Sequence, residues 1–189
     1  MTANFNATAA EAFLKDAVRM IGKDRESPIR HVLSAKLTEM FPSSKEQPRP
    51  WWVEYHAKGS ETLIRSDRDG KAKRGFIDTL VGSTAIEYEK DLSDSCLARH
   101  GEDQVREYCA GLLNEGIPSE IVLGVLSDTV RWRAYRVKAV LPLSDVPGAK
   151  SYSPAHVVLK EIERIDLSAA GPQEAASLER FRLYVKYSG

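Results

Sequence analysis

The sequence lacks the signatures of several common protein classes. It has only two cysteines, Cys96 and Cys109, without CxxC spacing, so we expect neither a disulfide framework nor a structural metal site. The motifs GxSxG, GxxxxGK(S/T) and GxGxxG are absent, which argues against a serine hydrolase, a P-loop NTPase and a dinucleotide enzyme. The histidines follow no HExxH or other paired metal spacing, and we expect each to be an ordinary polar residue: His31, His56, His100 and His156.

Long apolar runs and net charge are also lacking. No stretch reaches the ~18 to 20 apolar residues that span a membrane, and residues 1–8 do not resemble a leader, so we expect a cytoplasmic protein with no membrane partner. Because 27 basic residues balance 27 acidic ones, binding to nucleic acid would need a local basic patch. A length of 189 residues and an apolar content of 42% predict a single globular domain over 1–189.

Hydrophobic periodicity predicts helices first and strands afterwards. Apolar residues at three- to four-residue spacing predict a helix over 8–21, and Ser27-Pro28 opens a second helix that ends near Phe41. Short β-prone runs follow, separated by the turn sequences Asp69-Gly70 and Gly82-Ser83. The later predicted elements are strands at 62–64, 75–81 and 84–88, a helix at 97–113, strands at 120–126 and 130–141, and a closing helix from about 172 to 187. This order predicts an α/β sheet with helices on its faces.

Acidic residues interrupt two of the predicted strands. Asp78 lies in an otherwise apolar run, where a buried carboxylate is costly unless it is paired, hydrogen-bonded or bound to a cation. On the next strand, period-two alternation puts Glu87 and Glu89 on one face and Lys90 on the other. The hairpin at Gly82-Ser83 can bring the three acids together. Such an oxygen-rich group suits Mg²⁺ or Mn²⁺, whereas a solvated edge hairpin is the plainer alternative.

A helical pair follows the acidic hairpin. Gln104 and Tyr108 are four residues apart and therefore share one face of the predicted helix. The order Asp78, Glu87-x-Glu89, Gln104-xxx-Tyr108 resembles the PD-(D/E)xK, or restriction-endonuclease-like, nuclease superfamily in its QxxxY branch. The similarity covers about residues 27–141 and is greatest to amino-terminal nuclease domains of restriction-modification enzymes. It implies a restriction-endonuclease-like core, a central mixed sheet flanked by helices in αβββαβ order, with a helical extension at about 172–187.

The resemblance also implies roles for individual residues. Asp78 and Glu87 would bind Mg²⁺, with Mn²⁺ as a substitute, while Gln104 and Tyr108 would brace the site or the DNA strand. Glu89 stands where the family usually has lysine, and it would bind metal or orient the attacking water. A fourth acidic ligand would come from upstream: of Glu39, Glu54 and Glu61, we favour Glu61 as the nearest to the strands.

The implied activity is metal-assisted hydrolysis of DNA by a nuclease domain of a restriction-modification or phage-defence system. Methyltransferase or motor functions would lie on other domains or subunits, because this chain shows no motif for them. Basic residues that could face phosphate precede Asp78, at Arg65, Arg68, Lys71, Lys73 and Arg74, and Arg131 shares a face with Arg133. Two other hypotheses stay open. The fold could be a catalytically impaired module for DNA binding or assembly, or the acids could coincide by chance on an unrelated α/β scaffold.

Overall fold

A five-stranded mixed β-sheet forms the centre of the protein. The computed structural model describes residues 5–23, 33, 35–37, 39–42, 62–68 and 71–180, with the backbone alone for 62–68 and 71–75. The strands are β1 Thr62–Arg68, β2 Lys71–Ile77, β3 Thr79–Val81, β4 Thr84–Tyr88, β5 Leu123–Ser127, β6 Arg131–Val140 and β7 Val157–Asp166. The helices are α1 Ala7–Met20, α2 Ser95–Asn114 and α3 Pro172–Leu178, and residues 33, 35–37 and 39–40 are also helical.

The strand order in the central sheet is β3-β4-β5-β6-β7. The β4–β5 pair is parallel, since α2 carries the chain across the sheet between them, and the other neighbouring pairs are antiparallel. Strands β1 and β2 form a separate antiparallel hairpin that leads into β3 through Asp78. Gly82 takes the positive φ of 58° that the tight β3–β4 turn requires.

Helices cover both faces of the central sheet. On one face, α1, the helical residues near Leu37 and α3 pack against apolar side chains that include Tyr88 and Trp132. On the other face, α2 packs against a second buried cluster that includes Ala85 and Leu126. The side chains of β4 alternate between these two layers, so Glu87 points to the same side as α2. Asn6 and Asp94 cap the amino termini of α1 and α2.

The α/β class and most predicted elements are confirmed. The helices predicted at 8–21 and 97–113 are α1 and α2, and residues 79–81 pair with β4 across Gly82-Ser83 as predicted. The strand predicted at 75–81 is interrupted at Asp78: residues 75–77 belong to β2 of the separate hairpin, and only residues 79–81 form β3 of the central sheet. Strand β7 was missed: the prediction had no strand between 141 and 172, because the charged sequence Lys160-Glu161-Ile162-Glu163-Arg164 gives no clear alternation. A bulge at Ala134/Tyr135 in the β6–β7 ladder disturbs the alternation further. Ser27-Pro28 and 181–187 lie outside the described residues. No helix in the described part of the chain has the length and apolar character to cross a bilayer.

Candidate active site

Asp78 and Glu87 face each other across the β3–β4 hairpin. Thr79 pairs with Ile86, and the same antiparallel register carried one residue further sets Asp78 opposite Glu87. Asp78 also accepts a hydrogen bond at Oδ2 from the backbone N–H of Tyr88, at 3.0 Å. The side chain of Glu87 is almost fully buried, with 4% of the residue exposed. The hairpin therefore holds two carboxylates together at the boundary between the sheet and α2.

Tyr108 of α2 binds Glu87 directly. Its hydroxyl donates a hydrogen bond of 2.5 Å to Oε2 of Glu87 within the buried layer. Burial, followed by the negative charges of Glu87 and Asp78, raises the pKa of the Tyr108 phenol above its usual range. Tyr108 therefore keeps its proton and acts as a donor that fixes the orientation of Glu87. The sequence prediction placed Tyr108 beside the acids, and the described geometry brings it there.

Glu89 contacts a different residue of the same helix. It follows β4, is 3% exposed, and its Oε1 lies 2.9 Å from Nδ1 of His100. A methyl group at Gly101 would approach Cγ of Glu89 to 2.9 Å, so the glycine leaves the space in which Glu89 packs against α2. Lys90, the next residue, is exposed. The position that the resembled family gives to lysine thus holds a carboxylate with an imidazole beside it.

His100 is a site residue that the sequence analysis did not select. His100, Gln104 and Tyr108 recur every four residues along α2, so one helical face runs past both Glu89 and Glu87. The four-residue spacing of His100 from Gln104 indicates only that the two residues share a helical face. It does not show that His100 contacts Glu89, so a single histidine was not selected. Gln104 lies half-buried between the two contacts. The side chain of His100 is 66% exposed, so its imidazole joins the buried Glu89 to the surface.

A third buried acid, Asp128, supports the loop that follows the site. It is fully buried and accepts backbone hydrogen bonds from Leu92, Val130 and Arg131, together with one from the guanidinium of Arg131. The neighbouring Ser127 carbonyl accepts the N–H of Glu89 at 2.9 Å. The β5–β6 turn therefore holds the chain from Glu89 to Leu92 in place.

The donor chemistry at Asp78 and Glu87 fits Mg²⁺ or Mn²⁺, because both side chains offer hard oxygen atoms. Glu89, the third predicted metal ligand, uses Oε1 for His100. Within the described ranges, no group of three or more His, Cys, Asp or Glu side chains is arranged to hold a metal ion. Glu61, predicted as the fourth ligand, lies outside the described residues, as does Glu54. Glu39 is exposed and pairs with Lys36 at 2.9 Å.

Other predicted contacts can be assigned only in part. The basic residues before Asp78 lie on β1 and β2, and their side chains are outside the description. Arg131 and Arg133 are described and lie two residues apart on β6. Cys96 and Cys109 are free thiols, and burial raises the pKa of Cys109 to about 12. Cys109 therefore remains protonated near neutral pH.

Comparisons with known proteins give no relative. The chain matches no protein-family model, and no curated protein or solved structure is similar to it. The functional argument therefore rests on the residues and contacts of this chain.

Proposed function

We propose that this chain is a divalent-metal-dependent endodeoxyribonuclease domain. The observation that carries the proposal is the pairing of Asp78 with Glu87 across a hairpin, next to a helix whose Tyr108 binds Glu87 at 2.5 Å. Both carboxylates act as negative charges on Tyr108, and their hard oxygen atoms are suitable ligands for a divalent cation. Phosphodiester hydrolysis is the reaction that such a cation site most commonly serves on the resembled nuclease fold.

Each residue of the site has a proposed role in this reaction. Asp78 and Glu87 would hold the ion, and Tyr108 would fix the rotamer of Glu87 through its hydrogen bond. When bound, Mg²⁺ or Mn²⁺ would supply Lewis-acid activation of the scissile phosphate. Gln104 lies between the Tyr108 and His100 contacts and would bind the substrate strand.

The role of Glu89 follows from its contact with His100. The buried carboxylate fixes the imidazole through Nδ1 and leaves Nε2 on the more exposed side of the ring. His100 would then serve as a polar contact to the substrate at the position where the resembled family has lysine, with Glu89 as its positioning residue. The proposal therefore needs no lysine at position 89, and it changes Glu89 from a metal ligand to a partner of His100.

The finer fold and the biological setting are parts of the same proposal. The order of α1, the β3–β4 hairpin, α2 and the parallel strand β5 supplies five of the six elements of the αβββαβ order of a restriction-endonuclease-like core, and the preceding strand β2 pairs with β1 outside the central sheet. The setting would be a restriction-modification or phage-defence system, with DNA as the partner. This step rests on the resemblance of the motif alone.

A second candidate function has its own supporting observation. Glu89 already bonds to His100, and the described residues hold no three-ligand metal group, as would be expected of an impaired site kept for DNA binding or assembly. In that case the fold would bind DNA and not cut it.

Cleavage of a supercoiled plasmid separates the two functions. We expect nicking by the intact chain with Mg²⁺ and faster nicking with Mn²⁺, both abolished by EDTA. Binding of the same plasmid without cleavage under any metal would support the impaired module. Absence of both binding and cleavage would exclude both functions.

A further inference from the structure

The sheet face that carries Asp78 and Glu87 also carries two arginines in the same row. Glu87 pairs with Leu126 on β5, Leu126 pairs with Arg133 on β6, and Arg133 pairs with Arg164 on β7. Residues in register on neighbouring strands point to the same face of a sheet. With strands ~4.8 Å apart, Arg133 lies about 10 Å from Glu87 along this row.

A cavity of about 300 Å³ opens at the arginine end of the row. Its lining consists of Arg131, Arg133, Arg164, Ile165 and the acid Asp166, together with Leu92 and Ser93 from the loop after the candidate active site. Guanidinium groups are the preferred protein donors for phosphate oxygens, because several N–H groups lie in one plane. The cavity thus combines phosphate-binding side chains with a loop that comes directly from the acidic hairpin.

The three arginines differ in the acidic residues of the protein that contact their guanidinium groups. Arg131 contacts Asp91, Asp128 and Asp166, at 3.2, 2.9 and 3.5 Å. Arg164 is held by both carboxylate oxygens of Glu161. These two arginines are therefore already matched by acids of the protein.

Arg133 has a different environment. The adjacent residues Trp132 and Ala134 are buried on the opposite face, and Nη2 of Arg133 reaches the carbonyl of Leu92 at 3.5 Å, the limit of a hydrogen bond. No carboxylate among the described residues lies within ion-pair distance of it. Arg133 also stands directly opposite Arg164, whose own charge is matched by Glu161.

We infer that the cavity at Arg133 binds a backbone phosphate of the DNA whose scissile phosphate lies at Asp78 and Glu87. Phosphates recur about every 3.4 Å of helix axis along each strand, so a cation about 10 Å away meets a phosphate a few nucleotides from the cut. The inference rests on the proposed nuclease function for the identity of the ligand. Its chemistry, a phosphodiester bound by a guanidinium, is independent of cleavage.

Binding measured without cleavage tests this inference. The probe is a fluorescein-labelled DNA duplex, titrated by fluorescence anisotropy in EDTA over a range of NaCl concentrations. Arg133→Gln is compared with Arg136→Gln, a control on the same strand whose exposed side chain points to the opposite face of the sheet. Arg133→Lys tests whether charge alone restores binding, and equal thermal midpoints establish that the variants are folded.

We expect Arg133→Gln to weaken binding about tenfold and to lower the slope of log Kd against log salt by about 1. Arg133→Lys should recover part of the affinity, and Arg136→Gln should bind like the parent chain. Equal affinities and slopes for Arg133→Gln and Arg136→Gln would overturn the inference, whether or not the parent chain cuts DNA. Arg133-dependent binding without any cleavage would instead leave the phosphate site standing and exclude the nuclease.

A free phosphate ester is the other source of the same chemistry. In a second arm, a 5′-mononucleotide is added to the parent chain and to Arg133→Gln, and the thermal midpoint is measured. An Arg133-dependent rise in the midpoint, combined with no binding of the duplex, would identify a small phosphate ester as the ligand and overturn the assignment to DNA.

Discussion

Two buried acids lie at the ends of neighbouring parallel strands, and their surroundings differ. Asp128, after β5, accepts three backbone N–H groups and the guanidinium of Arg131. Glu87, near the end of β4, accepts the hydroxyl of Tyr108 and stands opposite a second carboxylate, Asp78. The first arrangement stabilises a buried charge with donors and a cation. In the second, the described contacts are one tyrosine hydroxyl and the neighbouring acid Asp78, whose charge, like that of Glu87, acts on Tyr108.

Specific contacts also hold the backbone of the β5–β6 turn. The turn held by Asp128 includes Thr129 at φ 73°, a strained conformation for a β-branched residue, and hydrogen bonds from its N–H to Ser127 Oγ and from Trp132 Nε1 to its carbonyl secure it. The β5–β6 turn therefore contributes to folding, and it fixes the chain from Glu89 to Leu92 beside the candidate active site. The two acids should respond in opposite ways to substitution, one in stability and the other in activity.

The largest expected effect is on cleavage by variants of the facing acids. Asp78→Asn and Glu87→Gln should each lower metal-dependent plasmid nicking by at least about a hundredfold, because each removes a ligand charge while keeping the shape of the side chain. Equal thermal midpoints of the variants and the parent chain establish that the variants are folded. Asp103→Asn, at an exposed position on α2, is the control and should cut normally. Cleavage at the parental rate by either variant would show that the site is elsewhere.

Substitution of Asp128 should have the opposite outcome. Asp128→Ala leaves three amide groups without their acceptor and removes one of the three acids that contact Arg131, and we expect a loss of about 3 to 5 kcal/mol in the free energy of unfolding. Urea unfolding followed by circular dichroism measures this loss. A loss below about 1 kcal/mol would mean that Asp128 does not hold the β5–β6 turn in place.

The third prediction concerns Glu89. On the proposed function, Glu89→Gln should reduce nicking about tenfold through weaker orientation of His100, and His100→Ala should reduce it to a similar degree. Glu89→Lys should not raise activity. Nicking by Glu89→Lys is measured beside the parent chain over a titration of Mn²⁺. If Glu89→Lys nicks the plasmid faster than the parent chain, the native site is catalytically impaired.

Tyr108→Phe should have a smaller effect. It removes one hydroxyl from Glu87 and keeps the ring in its buried place, so we expect a loss of activity of about tenfold or less. Steady-state nicking rates across a metal titration would show the loss as a need for more Mn²⁺. An effect as large as that of Glu87→Gln would mean that Tyr108 does more than orient Glu87.

The smallest effect concerns acid stability around Arg131. Burial raises the pKa of Asp166, but hydrogen bonds from Ser168 and the charge of Arg131 outweigh it, so the pKa of Asp166 is lowered. A carboxylate with a lowered pKa stabilises the fold above the pKa of its unfolded form, and that contribution is lost as the pH falls through its folded value. Asp166→Asn should therefore lose less than about 1 kcal/mol at pH 7 and match the parent chain in strong acid. Urea unfolding at both pH values measures this, and an equal deficit at both would contradict it.

The sequence predicted much of the fold because its local signals agree. Gly82-Ser83 lies between two β-prone runs, and the apolar spacing after Asp94 is helical over twenty residues, so the hairpin and α2 followed. Strand β7 was missed because its charged sequence does not indicate a strand. It forms one by pairing with β6, which is distant in sequence from any local signal in β7.

The candidate site was predictable to a similar extent. Asp78, Glu87 and Tyr108 could be selected from their spacing, because a hairpin and a helical turn fix which residues meet. The contact between Glu89 and His100 depends on how α2 packs against β4, with Gly101 at the close approach, and no spacing within either element shows it. The Arg133–Arg164 pair required the register of β7, which the sequence did not give.

Direct measurement of Mn²⁺ binding tests whether Asp78 and Glu87 together hold a divalent ion. Electron paramagnetic resonance of free Mn²⁺ is followed during titration of the parent chain, Asp78→Asn, Glu87→Gln and the control Asp103→Asn, each with a DNA duplex present. We expect one Mn²⁺ site in the parent chain and in Asp103→Asn, and the loss of that site in Asp78→Asn and Glu87→Gln. Equal binding by all four proteins, or binding by none, would contradict this expectation.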